Sequence, residues 1–172
     1  MSGAASTERT FWTYWLGGLL LFALMVVLNQ FLVPVGIVEH QLAPDAAAVD
    51  AIQRGWADNG VLALARFSMV IDLIFIGVYS RGAYVGGIIF QGSASALLRR
   101  LGTLIVIAAI LFCITDYVET ICQIVEAMAF RGSDLLASMH STVQPVKSIA
   151  FLVTVIGLLT GLVLRRMTAP AG

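Results

Sequence analysis

The chain has 172 residues, of which 59% are hydrophobic and only 12% charged, with ten basic side chains balancing ten acidic ones. Soluble domains carry about 25% charged residues, so this composition excludes an ordinary soluble protein and points to an all-α integral membrane protein. Zero net charge supplies no basic field for nucleic acid, and the length suits a single domain.

Four apolar stretches, at about residues 11–35, 61–84, 101–125 and 146–164, reach the roughly 20 residues that a helix needs to cross a bilayer. Runs such as LGGLLLFALMVVL and LGTLIVIAAILF do not alternate apolar with polar residues, as a transmembrane β-strand would. The first stretch is longer than the about 7–15 apolar residues of a signal peptide, and no A-x-A site follows it, so it is expected to stay as a span. Trp12, Tyr14 and Trp15 at its start read as an aromatic belt. Asn29 and Gln30 mark its outer end.

The loop at 36–60 holds Glu39, Asp45, Asp50 and Asp58 against the single base Arg54, and is expected to face outward. Within it, PDAAAVDAIQRGW begins like a helix at Pro44 and Asp45, with Val49, Ile52 and Trp56 on one face. It reads as a short helix lying in the outer interface with Trp56 as its anchor, or as an ordered loop.

The second span places Ser68, Asp72 and Tyr79 on one face at i, i+4 and i+11. Counted from Val61, Asp72 lies about 16 Å deep, close to the midplane, and is the most deeply placed acid. Arg66 sits above it on a different face, and Arg81 is near enough to the inner end to snorkel. The connection GGIIFQGSASALLRR is loosened by Gly86, Gly87 and Gly92. Leu97 and Leu98 are expected to start the third helix, with Arg99 and Arg100 at its inner border.

The third span is the unusual one. Its clean apolar run, 101–114, covers about 21 Å, short of a hydrocarbon core of about 30 Å. The helix must therefore continue through Thr115 to Thr120, which carries Asp116 and Glu119 into the hydrocarbon or to its outer edge. Asp116, Glu119, Gln123 and Glu126 follow i, i+3, i+7, i+10 and form one polar stripe. Facing lipid would cost at least ~2.5 kcal/mol for an aspartate near the centre, so the stripe must face other helices or a wet cavity. Cys113 and Cys122 fall on opposite faces of the same helix and cannot bridge each other; they read as small buried side chains.

Before the fourth span, RGSDLLASMHSTVQP is expected to form a short helix from Ser133, after which Pro145 begins or kinks the span. Both histidines, His40 and His140, fall in outer loops on this reading, and Lys147 opens the fourth span. The pairs Gly82/Gly86 and Gly157/Gly161 let helix backbones approach closely, within the bundle or across a homodimer seam. Arg9, Arg99, Arg100, Arg165 and Arg166 all belong on the cytoplasmic side, which puts both termini inside. The two arginine pairs also suit contact with anionic lipid.

The expected architecture is one four-helix membrane bundle with a polar pocket open to the outer side. Asp72, Asp116 and Glu119 line it, with Tyr79, Ser68 and Gln123 alongside. Arg66, Glu126, Lys147 and His140 surround its mouth. The leading reading is an accessory or structural membrane subunit, in which buried acids pair with bases and fix helix order. A second reading is proton or cation handling by a deep acid beneath an acidic vestibule. A third is a membrane enzyme, with paired carboxylates acting on a lipid headgroup or with Asp116, Glu119 and His140 ligating a divalent metal. H-E-x-x-H, G-x-S-x-G, P-loop and paired haem histidines are all missing from the sequence, and no cofactor is assigned. Expected partners are the lipid bilayer and either a second copy or another membrane subunit.

Two segments, Asp72-Leu-Ile-Phe75 with Tyr79 and Asp116-Tyr-Val-Glu119, together resemble a group of small uncharacterised bacterial four-helix membrane proteins. In that group D-x-x-F-x-x-x-Y in the second helix accompanies D-x-x-E-N in the third. Thr120 stands where the group has Asn. The resemblance implies the fold, a polar pair and a bacterial inner membrane, and it implies no reaction.

Overall fold

The computed structural model describes residues 2–32 and 36–167, so the expected end of the first span, 33–35, lies outside the described residues. Six helices follow in order: α1 Ser2–Asn29, α2 Ile37–Gln41, α3 Ala46–Asp58, α4 Leu62–Gln91, α5 Ala96–Ala129 and α6 Asp134–Met167. Among the described residues α1, α4, α5 and α6 are long and apolar enough to cross a membrane. Their outward surface carries Leu20, Ile74, Ile107 and Ile149, all more than half exposed. That is the surface of a multi-pass membrane protein, where lipid rather than water meets the apolar side chains.

Lipid tails are as apolar as leucine, so close van der Waals fit rather than water exclusion holds such helices together. The packing order is α1 on α4, α4 on α5 and α5 on α6. Glycines set the distances. A methyl group on Gly82 would meet Trp15 Cα of α1 at 2.7 Å, and one on Gly87 of α4 would meet the Gly102 carbonyl of α5 at 2.9 Å. Gly86 faces Phe11 and Leu158, Gly157 faces Ile105, and Gly161 faces Phe90. All four residues of the two small-residue pairs are thus turned into the chain's own core, where a homodimer seam was the alternative. Between the helices lies a core of Phe75, Ile76, Tyr79, Phe90, Phe112 and Leu158.

Several sequence expectations need correction. The connection after the second span is not loose: α4 runs on to Gln91 with Gly86 and Gly87 inside it, because those glycines are where α1, α5 and α6 press closest. Of the two roles expected for Pro145, beginning the span is excluded and lying within it stands: α6 starts eleven residues earlier, at Asp134, and carries Pro145 inside. Its first turns are buried at Ala137 and His140, and that packing outweighs the one backbone hydrogen bond a proline removes. Trp15 is no belt residue; it is 5% exposed and stacks on Phe11 at 5.5 Å. Trp12 at 40% exposure does keep an outward place, and Arg81 lies 4.9 Å over the Tyr14 ring.

The two ends differ. Gln91 bonds Thr103, and Arg165 pairs with Glu8, so the start of α1, the end of α4, the start of α5 and the end of α6 meet at one end, together with Arg9, Arg99, Arg100 and Arg166. The opposite end is capped by α2 and α3. Trp56 is fully buried against Leu32, Ala65, Met69 and Ala127, so α3 lies over the ends of the long helices and Trp56 is not an interfacial anchor. The first turn of α3 is clasped twice: Asp45 Oδ1 accepts Ala48 N–H at 2.8 Å, and Asp134 Oδ1 of α6 accepts Ala46 N–H at 2.8 Å. Asp50 in turn accepts the Gly132 N–H at 2.6 Å. The α5–α6 turn needs one left-handed residue, Phe130, at φ 51°.

Candidate functional site

Because α1 packs on α4 and α6 packs on α5, α1 and α6 face each other across a groove. Phe22 and Phe151 close that groove midway, with ring centroids 5.3 Å apart. Toward the capped end the walls separate into a cleft of about 340 Å³. Met25, Val26 and Asn29 of α1 form one wall, and Gln144, Lys147 and Ser148 of α6 form the other. Phe75 and Phe112 floor it, while Ile37, Val38 and Gln41 of α2 roof it. Asn29 Oδ1 holds that roof by accepting the Ile37 N–H at 2.9 Å.

Ser68, Asp72 and Asp116 also line the cleft. Asp116 and Glu119, three residues apart on α5, point the same way, and Lys147 reaches both. Its Nζ lies 3.1 Å from Asp116 Oδ1 and 2.5 Å from Glu119 Oε1. One turn further along α5, Gln123 donates to Glu119 at 3.4 Å. Asp72, from α4, accepts a hydrogen bond from Thr120 at 2.7 Å. No ion pair is made by Asp72 among the described residues. The charge balance is therefore three carboxyl groups to one ammonium, in a place where each unpaired charge costs several kcal/mol, on the order of the desolvation penalty of an ion.

The residues expected from the sequence are distributed as follows. Asp72, Asp116 and Ser68 are at the cleft wall, with Glu119 and Gln123 behind Lys147. Tyr79 is a core residue, its hydroxyl 2.7 Å from Thr154 Oγ1 and its ring among Phe75, Phe112 and Phe151. Lys147 is not at a mouth but inside, its side chain 12% exposed. Arg66 is elsewhere: its Nε and Nη2 donate to the Ala127 carbonyl at 3.0 and 2.7 Å, covering the last turn of α5. Glu126 and His140 are likewise not at the mouth; both are buried under the cap, 3.3 Å apart. Thr120, the phenylalanines and the α2 roof were missed. Thr120 stands four residues from Asp116, on the same face, and that spacing was the available signal.

The cap holds a second polar group. His140 Nδ1 lies 3.0 Å from the Gln41 carbonyl, and Glu126 Oε1 accepts the Ser133 N–H at 3.0 Å. His40, expected in a solvated loop, is fully buried between Trp56 and His140, with centroids 5.1 and 5.7 Å away. Neither of its ring nitrogens has a hydrogen-bond partner among the described residues. Burial, with the His140 ring beside it, lowers its pKa from 6.5 to about 3, so His40 is neutral at ordinary pH. Asp116, Glu119 and His140 do not converge, and among the described residues no three His, Cys, Asp or Glu side chains are placed to hold a metal ion.

No family model, curated protein or solved structure matches this chain. The functional reading therefore rests on the chemistry of these side chains.

Proposed function

We propose that this chain is a bacterial inner-membrane protein, with both termini cytoplasmic, whose acid-rich cleft holds a positive charge within the membrane: a proton or a cation. The observation that carries this reading is the imbalance at the cleft wall. Asp116 and Glu119 share Lys147, whereas Asp72 meets a neutral hydroxyl. One ammonium balances one carboxylate, and burial makes the remaining negative charge costly unless something positive joins it. The gathering of Arg9, Arg99, Arg100, Arg165 and Arg166 at the uncapped end supports the cytoplasmic placement of that end.

The experiment is an infrared pH titration of the purified protein in lipid nanodiscs. A carboxyl band that titrates in the wild type and is missing in Asp72→Asn supports the reading. Identical spectra for the two proteins overturn it. A reporter fused to either terminus should be read out on the cytoplasmic side. A second reading, an accessory subunit with a purely structural charge cluster, draws on the way Lys147 ties α5 to α6. On that reading the infrared spectrum contains no Asp72 band, while Lys147 substitutions still unfold the protein.

A further inference from the structure

We propose that the cleft between α1 and α6 is a binding site for a lipophilic organic cation, an alkyl- or arylammonium that enters sideways from the bilayer. This inference rests on the reading above, that the cleft acids hold a positive charge, and it names the class of molecule that supplies that charge.

Three features of the cleft converge on such a molecule. The first is position. The walls belong to helices long and apolar enough to cross the membrane, and the groove lies between α1 and α6, which touch at Phe22 and Phe151 but pack mainly on α4 and α5. A ligand reaching it through that groove comes from the lipid. The second is lining. Met25 and Val26 meet the body of the ligand on one side and Phe151 on the other, above Phe75 and Phe112. An apolar wall with aromatic rings suits an alkyl or aryl body, and aromatic rings add direct attraction for a cationic centre. The third is the polar end. Asp72 is 7% exposed and has no ion pair among the described residues, and Ser68, 4% exposed, stands one turn before it on the same side. The Ser68 hydroxyl has no hydrogen-bond partner among the described residues. Asp72 accepts one hydrogen bond, from Thr120, and a cationic centre at this wall would add the counter-charge it lacks, beside a Ser68 hydroxyl able to accept or donate.

The same features disfavour other ligands. An inorganic cation retains water and wants several oxygen ligands, whereas most of this wall is hydrocarbon. An anion would meet Asp72 and Asp116 first, since Lys147 is already engaged by two carboxylates. A neutral lipid tail would fill the apolar wall and leave Asp72 unbalanced.

The test uses tetraphenylphosphonium as probe and tetraphenylborate, the same shape with the opposite charge, as control. Binding to the full chain in nanodiscs is measured by equilibrium dialysis against empty nanodiscs. Expected is saturable binding of the cation, weakened about tenfold or more by Asp72→Asn, since even one buried charge contact is worth a factor of this size. Asp72→Glu should retain binding. Met25→Trp, which fills the cleft without touching a charge, should lose it, so a folding defect in one variant does not decide the matter. Equal binding by Asp72→Asn, or equal uptake of tetraphenylborate, overturns the inference. Absence of cation binding in a protein whose Asp72 carboxyl band titrates also overturns it, while the proton-holding reading survives. If neither binding nor the band is seen, both fail together.

Discussion

Lys147 Nζ of α6 lies 2.5 Å from Glu119 Oε1 of α5, and the same ammonium touches Asp116. One side chain therefore serves two buried acids, balancing the charge of one, and it joins two helices while doing so. Removing one partner of a buried ion pair leaves the other uncompensated, at about 3–5 kcal/mol. Lys147→Met is expected to lower stability by about 3 kcal/mol or more, measured by unfolding in mixed micelles. Adding Asp116→Asn and Glu119→Gln should recover most of that loss. A single Lys147→Met variant as stable as the wild type would mean the cluster is not a structural tie.

Tyr79→Phe tests a smaller effect. The Tyr79 hydroxyl bonds Thr154, whose own hydroxyl donates to the Phe151 carbonyl at 2.8 Å. Thr154 thus keeps a partner when the phenol is gone, and the ring packing is unchanged. The expected cost is about 0.6–1 kcal/mol, with cation binding intact. A large loss of binding would place Tyr79 in the site after all.

Two glycine substitutions should behave oppositely. Gly82→Leu drives a side chain into the Trp15 backbone, which cannot yield as a rotamer can, so about 2 kcal/mol or more is lost. Gly55 lies within α3 with nothing near its Cβ position. Gly55→Ala should stabilise by about 0.5–1 kcal/mol through helix propensity. Thermal unfolding of the two variants side by side checks both signs.

The buried His40 gives the protein an acid-side limit. Its native pKa is depressed to about 3, while the unfolded chain takes up the proton near pH 6.5. Between those values the unfolded state binds more protons, so stability falls as pH falls from about 6.5 toward about 3. His40→Phe, which keeps a ring between Trp56 and His140, should flatten that part of the stability-pH curve. A slope unchanged in the variant would assign the acid sensitivity to other groups.

Much of the fold was legible because a membrane span is a coarse signal: composition and run length sufficed for the four long helices. The stripe from Asp116 to Glu126 was legible as well, since spacing fixes which face a side chain takes. Spacing does not fix which neighbour it meets. Asp116 and Glu119 go to Lys147 and Gln123 to Glu119, while Glu126, from the same stripe, goes to His140 under the cap. Arg66 looked like a counter-ion by its position and instead covers a helix end, because backbone carbonyls compete for guanidinium groups as carboxylates do. The polar side of the cleft was legible, but its apolar wall was not, since Phe22, Phe75 and Phe151 look the same in sequence whether they line a void or fill one. Proline misled for a related reason: α6 continues through Pro145, held by buried residues further along it, His140 on one side and Ala150 on the other.

The clasp on α3 bears on how the chain is made. The side chain that holds its first backbone amide, Asp134, lies 88 residues downstream, and the amide that receives Asp50, at Gly132, lies 82 downstream. When α3 leaves the ribosome, neither exists. The α3 segment therefore waits, with Val49 and part of Trp56 uncovered, until α5, α6 and the turn between them have been made. Closing this clasp is therefore a late step in making the protein, and an uncovered Val49 marks a copy in which it has not closed.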